Sequence, residues 1–111
     1  MRRWALFTVL GLCLAAGTAC TEQRALDDVK DACTFFGQLR VDREKVVVDR
    51  AEIERRLDEA VDAAGKAADK DAEWSNFERQ LKDLRASAGD PQQYDQLESE
   101  IWTVCAPLVG T

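Results

Sequence analysis

The side chains able to do chemistry in this 111-residue chain are four cysteines and a large set of carboxylates, with no histidine among them. The cysteines stand at positions 13, 20, 33 and 105. No two form a Cys-x-x-Cys pair, and without an imidazole nothing is placed to activate a thiol as a nucleophile. A serine nucleophile is equally unsupported, because Ser75, Ser87 and Ser99 lack a Gly-x-Ser-x-Gly context. The glycines occur singly, so no phosphate-cradling loop is encoded. No catalytic residue and no cofactor is assigned, and the chain reads as a non-enzyme.

The carboxylates offer a second kind of chemistry. Asp27, Asp28 and Asp31 cluster early, and Glu54, Asp58, Glu59 and Asp62 follow later. A pair such as Glu54–Asp58, four residues apart on a helix, has the spacing for acid–base work or for a hard cation. Arg50, Arg55 and Arg56 are interspersed, however, which is the pattern of a solvated charged face. Asp69-Lys70-Asp71-Ala72-Glu73 opens like a calcium loop, but such a loop needs glycine at its sixth position and glutamate at its twelfth. Trp74 and Gln80 stand there instead, so the segment is a junction between helices and no metal site is assigned.

The compartment follows from the first residues. Arg2 and Arg3 precede an uncharged apolar run, and Gly17-Thr18-Ala19 supply small residues before a cut: the three parts of an export signal. No charge lies between Arg3 and Glu22, a length near the lower limit of about 17 residues for crossing a bilayer. An uncleaved anchor is the alternative to cleavage, and in both cases the arginines stay inside while the remainder faces out. Loss of Arg2 and Arg3 takes the fifteen basic residues to thirteen against all twenty-one acidic ones, a net of −8. That balance opposes binding to nucleic acid or electrostatic adsorption to anionic lipid.

The segment Ala16-Gly17-Thr18-Ala19-Cys20 resembles the lipobox of bacterial lipoproteins, in which the cysteine after the cut receives the lipid. Ala19 and Thr18 fit that pattern, while Gly17 stands where the family usually has leucine. Ordinary signal-peptidase cleavage after Ala19 is the alternative, giving a secreted chain with a free thiol at Cys20. The resemblance implies Cys20 as the lipid-attachment residue, a membrane tether, and Cys33 with Cys105 as the remaining pair. Outside the cytoplasm such a pair staples a small domain, and closing so long a loop is worth roughly 4 kcal/mol.

The elements that must position these residues are helices, since apolar residues recur at three-and-four spacing almost throughout. Leu26, Val29, Cys33 and Phe36 form one stripe, with Gly37 near its expected end. Val46-Val47-Val48 leads into a second helix capped by Asp49 with Glu52. Ile53, Leu57, Ala60, Ala64 and Ala67 make its stripe, widened by Val61, and Glu52–Arg56, Arg55–Glu59 and Asp62–Lys66 pair along its exposed side. A third stripe, Trp74, Phe77, Leu81, Leu84 and Ala88, is out of phase, so the chain breaks between Gly65 and Asp71. Ala88-Gly89, Asp90 and Pro91 mark the next boundary. Tyr94, Leu97, Ile101, Cys105 and Leu108 complete the set, with Pro107 expected to close the helix at Ala106.

The expectation is an all-α protein: a small four-helix bundle after the signal segment, or a three-helix hairpin with a bent middle helix. Residues 1–19 are read as signal, 20–24 as a short tether, 25–108 as the bundle and 109–111 as a tail. Cys33 lies further along the first helix than an up-and-down bundle would prefer for a bond to Cys105. Phe35 and Trp102 sit one residue off their stripes and are the candidate partner contacts. The whole layout resembles the small Ala/Asp/Glu/Arg-rich helical lipoproteins of actinobacteria and their phages, and Cys20, Cys33 and Cys105 carry that resemblance. It implies an exported protein on the outer face of the cell membrane. The function expected is that of a helical interaction module for an envelope protein, with small-ligand or cation binding as the alternative.

Overall fold

The computed structural model describes the backbone of residues 18–109 and the side chains of residues 23–109. Of the export signal read over 1–19, residues 1–17, with Cys13, lie outside the described residues, and Thr18 and Ala19 fall on the first helix. Four helices make up the fold: α1 (Thr18–Lys45), α2 (Arg50–Lys70), α3 (Ser75–Ala86) and α4 (Pro91–Val109), with a 3-10 turn, Ala72–Trp74, before α3. The protein is an all-α four-helix bundle, and the middle pair is two helices. Among the described residues there is no strand.

Each boundary has a local cause. The Asp49 carboxylate accepts from the backbone N–H of Glu52 at 2.9 Å, satisfying one orphan donor at the start of α2. The side chain of Glu52 binds Arg55 instead of closing the reciprocal half of a capping box. Asp71 accepts from the N–H of Glu73 and so opens the 3-10 turn. Asp90 accepts from the N–H of Gln93 with Pro91 at the first helical position, where its missing N–H costs nothing. Between α1 and α2, residues 46–49 leave the helical conformation, with Val47 98% exposed.

The bundle runs up-down-up-down, and its registers can be read from cross-helix contacts. Along the α1–α4 seam, Cys33 meets Cys105, Phe36 meets Trp102, Arg40 meets Glu98 and Arg43 meets Asp95. The steps are three, four and three on both helices, in opposite directions, which is the spacing of one helical face. Along α1–α2, Asp28 binds Lys70 and Asp42 binds Arg56, so the same displacement separates the rungs on both helices. Along α2–α3, Asp58 binds Arg85, and Gly65 faces Glu78.

These registers resolve the position of Cys33. α1 has 28 residues and α4 has 19, about 42 and 28 Å at 1.5 Å per residue. With Cys33 opposite Cys105, the end of α4 reaches only the level of Val29. The start of α1 overhangs the bundle, and the segment read as a tether, 20–24, is helical and continuous with α1. Ala25 is the first fully buried residue.

The core consists of the expected stripes: Val29, Cys33 and Phe36 from α1, Ile53, Leu57, Ala60, Ala64 and Ala67 from α2, Phe77, Leu81 and Leu84 from α3, and Tyr94, Ile101 and Cys105 from α4. Ala25, Ala32 and Leu39 on α1 and Ala63 on α2, outside those stripes, are also buried. Small residues on both sides of the α1–α2 seam allow close approach. Leu26, Trp74, Leu97 and Leu108 are only partly buried at the margins.

Two expected helix ends do not occur. Gly37 lies inside α1, because α4 packs there: a Cβ at this position would lie 3.6 Å from Trp102 Cζ3. Pro107 also lies inside its helix. It forfeits one backbone bond, to the carbonyl four residues back, and does so within the last turn, where the cost is least. The three ion pairs expected along α2 are partly rearranged as well. Arg55–Glu59 and Lys66–Asp62 form, but Arg56 crosses to Asp42 of α1 and leaves Glu52 to Arg55.

Two outcomes follow for stability. Replacing both Cys33 and Cys105 with alanine should cost about 4 kcal/mol in chemical unfolding, as expected for a loop of 72 residues, with reduction of the wild type giving a similar loss. Gly37→Ala should raise the unfolding free energy measured in urea by about 0.5–1 kcal/mol, the usual helix-interior gain, because the added methyl meets Trp102 at ordinary contact distance.

Candidate interaction surface

The Cys33–Cys105 disulfide joins α1 to α4, with Cα atoms 5.3 Å apart and both residues fully buried. Its place in the core makes it structural, since buried sulfurs are closed to exchange. Cys20 falls on the α1 backbone, but its side chain, the expected lipid-attachment point, lies outside the described residues.

Phe35 and Trp102 have different surroundings. Phe35 is 40% exposed. It lies in an open groove between α1 and α2 together with Asp28, Asp31, Glu59, Asp62, Ala63 and Lys66. Trp102 is half-buried in the α1–α4 seam, 6.3 Å from the Phe36 ring, with the Arg40 guanidinium 4.7 Å from its own ring centre. Phe35 and Gly37 flank Phe36 at about 100° to either side on a helix, and Trp102 packs against the Gly37 flank. The two aromatics therefore face different seams and do not form one contact surface. Among the two, Phe35 is the one open to a partner.

Beside Trp102 lies a polar cluster for which the sequence held no local signal, because its partners are more than fifty residues apart. Arg43 donates to Glu98 at 2.9 Å and its guanidinium lies 4.2 Å from the Tyr94 ring centre. Arg40 approaches the other Glu98 oxygen at 3.9 Å. The buried Tyr94 hydroxyl and Arg40 Nε lack protein hydrogen-bond partners. Burial raises the proton affinity of Glu98 against the opposing pull of Arg43 and Arg40. A raised carboxylate such as Glu98 loses stability as pH rises above its ordinary value, whereas Asp42, held low chiefly by the Arg56 hydrogen bond, contributes stability that is lost as pH falls below its ordinary value.

The two carboxylates spaced for acid–base work are ion-paired: Glu54 binds Arg50 at 3.1 Å and Asp58 binds Arg85 at 2.5 Å. Among the described residues, no three potential ligands converge to hold a metal ion, and no helix is long and apolar enough to cross a membrane.

Burial pushes the Tyr94 phenol up to about 12. As Tyr94 is the sole tyrosine, tyrosinate absorbance at 295 nm should appear near pH 12 in the folded protein and near the ordinary value of about 10 in urea. Stability should fall between those two values. A folded-state titration near 10 would show that the phenol is solvated. Compared with protein families, curated proteins and solved structures, the chain matches none.

Proposed function

We propose that this protein is an exported, lipid-tethered, non-enzymatic module that docks an envelope protein through its α1–α2 face. The observation that carries the reading is Phe35, an aromatic ring 40% exposed in an open groove of an otherwise well-packed bundle. Apolar side chains of this size outside the core are where partners bind most productively. Three features support the compartment. The start has the layout of an export signal, Cys20 follows a lipobox-like run, and the Cys33–Cys105 bond suits an oxidising space.

In this reading the helical overhang before Ala25 links the lipid at Cys20 to the bundle. It holds the Phe35 groove in the half of the molecule nearer the membrane, while Val47 marks the far end. The partner is then a membrane-proximal protein.

Two measurements test the reading. A photo-crosslinking residue at position 35, introduced in living cells, should give discrete adducts, whereas the same residue at Glu100 should not. Cys20→Ser should move the protein from the membrane fraction to the medium, and the wild-type mass should show a chain beginning at Cys20 with added acyl groups. Adducts equal at both positions would remove the docking face, and an unacylated wild type in the medium would remove the tether.

A further inference from the structure

The α1–α2 groove has a composition that helix packing alone does not call for. Its floor is apolar, formed by the Phe35 ring and by Ala63 on the facing helix. Its walls are carboxylates on both sides, Asp28 and Asp31 from α1 and Glu59 and Asp62 from α2. An aromatic face carries negative π density, so a ring set between carboxylates favours a cation over it. Arginine suits such a place best, because its guanidinium stacks on the ring while its N–H groups reach carboxylate oxygens.

The walls are neutralised from within tightly at Asp28 and only loosely at Asp62 and Glu59. Lys70 holds Asp28 at 2.5 Å. Lys66 lies 3.6 Å from Asp62 and Arg55 lies 3.9 Å from Glu59, and all four of those side chains are more than half exposed. Pairs of that kind contribute little and exchange easily. Asp31 makes no ion pair among the described residues. The groove spans about two turns of helix, some 10 Å, which is the length of about three extended residues.

We infer that this groove docks an extended, arginine- or lysine-bearing segment of a partner protein, one cationic side chain lying over Phe35 and directed toward Asp31. The inference rests on the interaction-module reading and adds the chemistry of the partner. The net charge of −8 after loss of the signal steers such a segment toward the protein, and Phe35 with Asp31 fixes where it sits. Lys66 is an internal competitor for the same walls.

The probe is a fluorescein-labelled octapeptide of alternating arginine and glycine, titrated by anisotropy into the full oxidised chain in neutral detergent at low salt. Saturable binding is expected, weakened about threefold by Phe35→Leu, which keeps apolar bulk but removes the π face. Asp31→Asn should weaken it by a similar factor, and Lys66→Ala should tighten it. Asp83→Asn on α3, the same charge change away from the groove, should leave the affinity near wild type. Melting temperatures of all four variants are measured alongside. If Phe35→Leu and Asp31→Asn act no differently from Asp83→Asn, the attraction is one of net charge and the inference fails. Tightening lost, or reversed, in Lys66→Ala also overturns it. Competition by spermidine as effective as unlabelled peptide, mole for mole, would give the groove to a polyamine and overturn the peptide assignment. Absence of binding while position 35 still crosslinks in cells would reject the cationic partner alone and leave the docking face standing.

Discussion

Cys33 and Cys105 lie in the core on the first and last helices, and the bond between them sets one rung of α1 against one rung of α4. Once that rung is fixed, helical periodicity fixes the others: Phe36 with Trp102, Arg40 with Glu98, Arg43 with Asp95. The two inner helices then have no freedom of direction, because each must run antiparallel to its neighbour through a short connection. The expected stop of α4 at Pro107 lies just beyond Cys105, and the helix nevertheless continues to Val109. A domain of this size buries a modest core, so a covalent closure is a large share of its net stability.

The same rung determines the outward shape. α1 is longer than any helix packed against it, and with Cys33 facing Cys105 the surplus falls entirely at its N-terminal end. The bundle is therefore polar along its axis, with a helical overhang at one end and the Val46–Val48 connection at the other. A lipid at Cys20, as proposed, would use that polarity to present the sides of the bundle at a defined height above a membrane.

Charge is distributed according to seam. The ion pairs beside Glu98 are half-buried and combine with aromatic faces, so they lend the α1–α4 seam a specificity that apolar packing alone would not. Along α2 the pairs are exposed and rearranged relative to simple helical spacing, since Arg56 reaches another helix when one is near. The α1–α2 groove differs from both, with carboxylates in excess around an exposed ring.

The amino-acid sequence by itself determined the class of the fold, its buried stripes, the breaks at Asp49, Asp71 and Asp90, and the absence of histidine chemistry. These depend on periodicity, capping side chains and composition, all of which act within a few residues. Only the tertiary structure decided that Gly37 and Pro107 lie inside helices, that Phe35 and Trp102 face different seams, and that Glu98 is half-buried between two arginines. Apart from Pro107, which the last turn of its helix tolerates, each of these rests on a contact with a helix distant in sequence: Trp102 against Gly37, α1 beside Trp102, Arg43 on Glu98. Helical spacing tells which residues share a face, but the rotation of that face toward a neighbour is set by the register between helices. Here the register is pinned by a bond joining the first helix to the last.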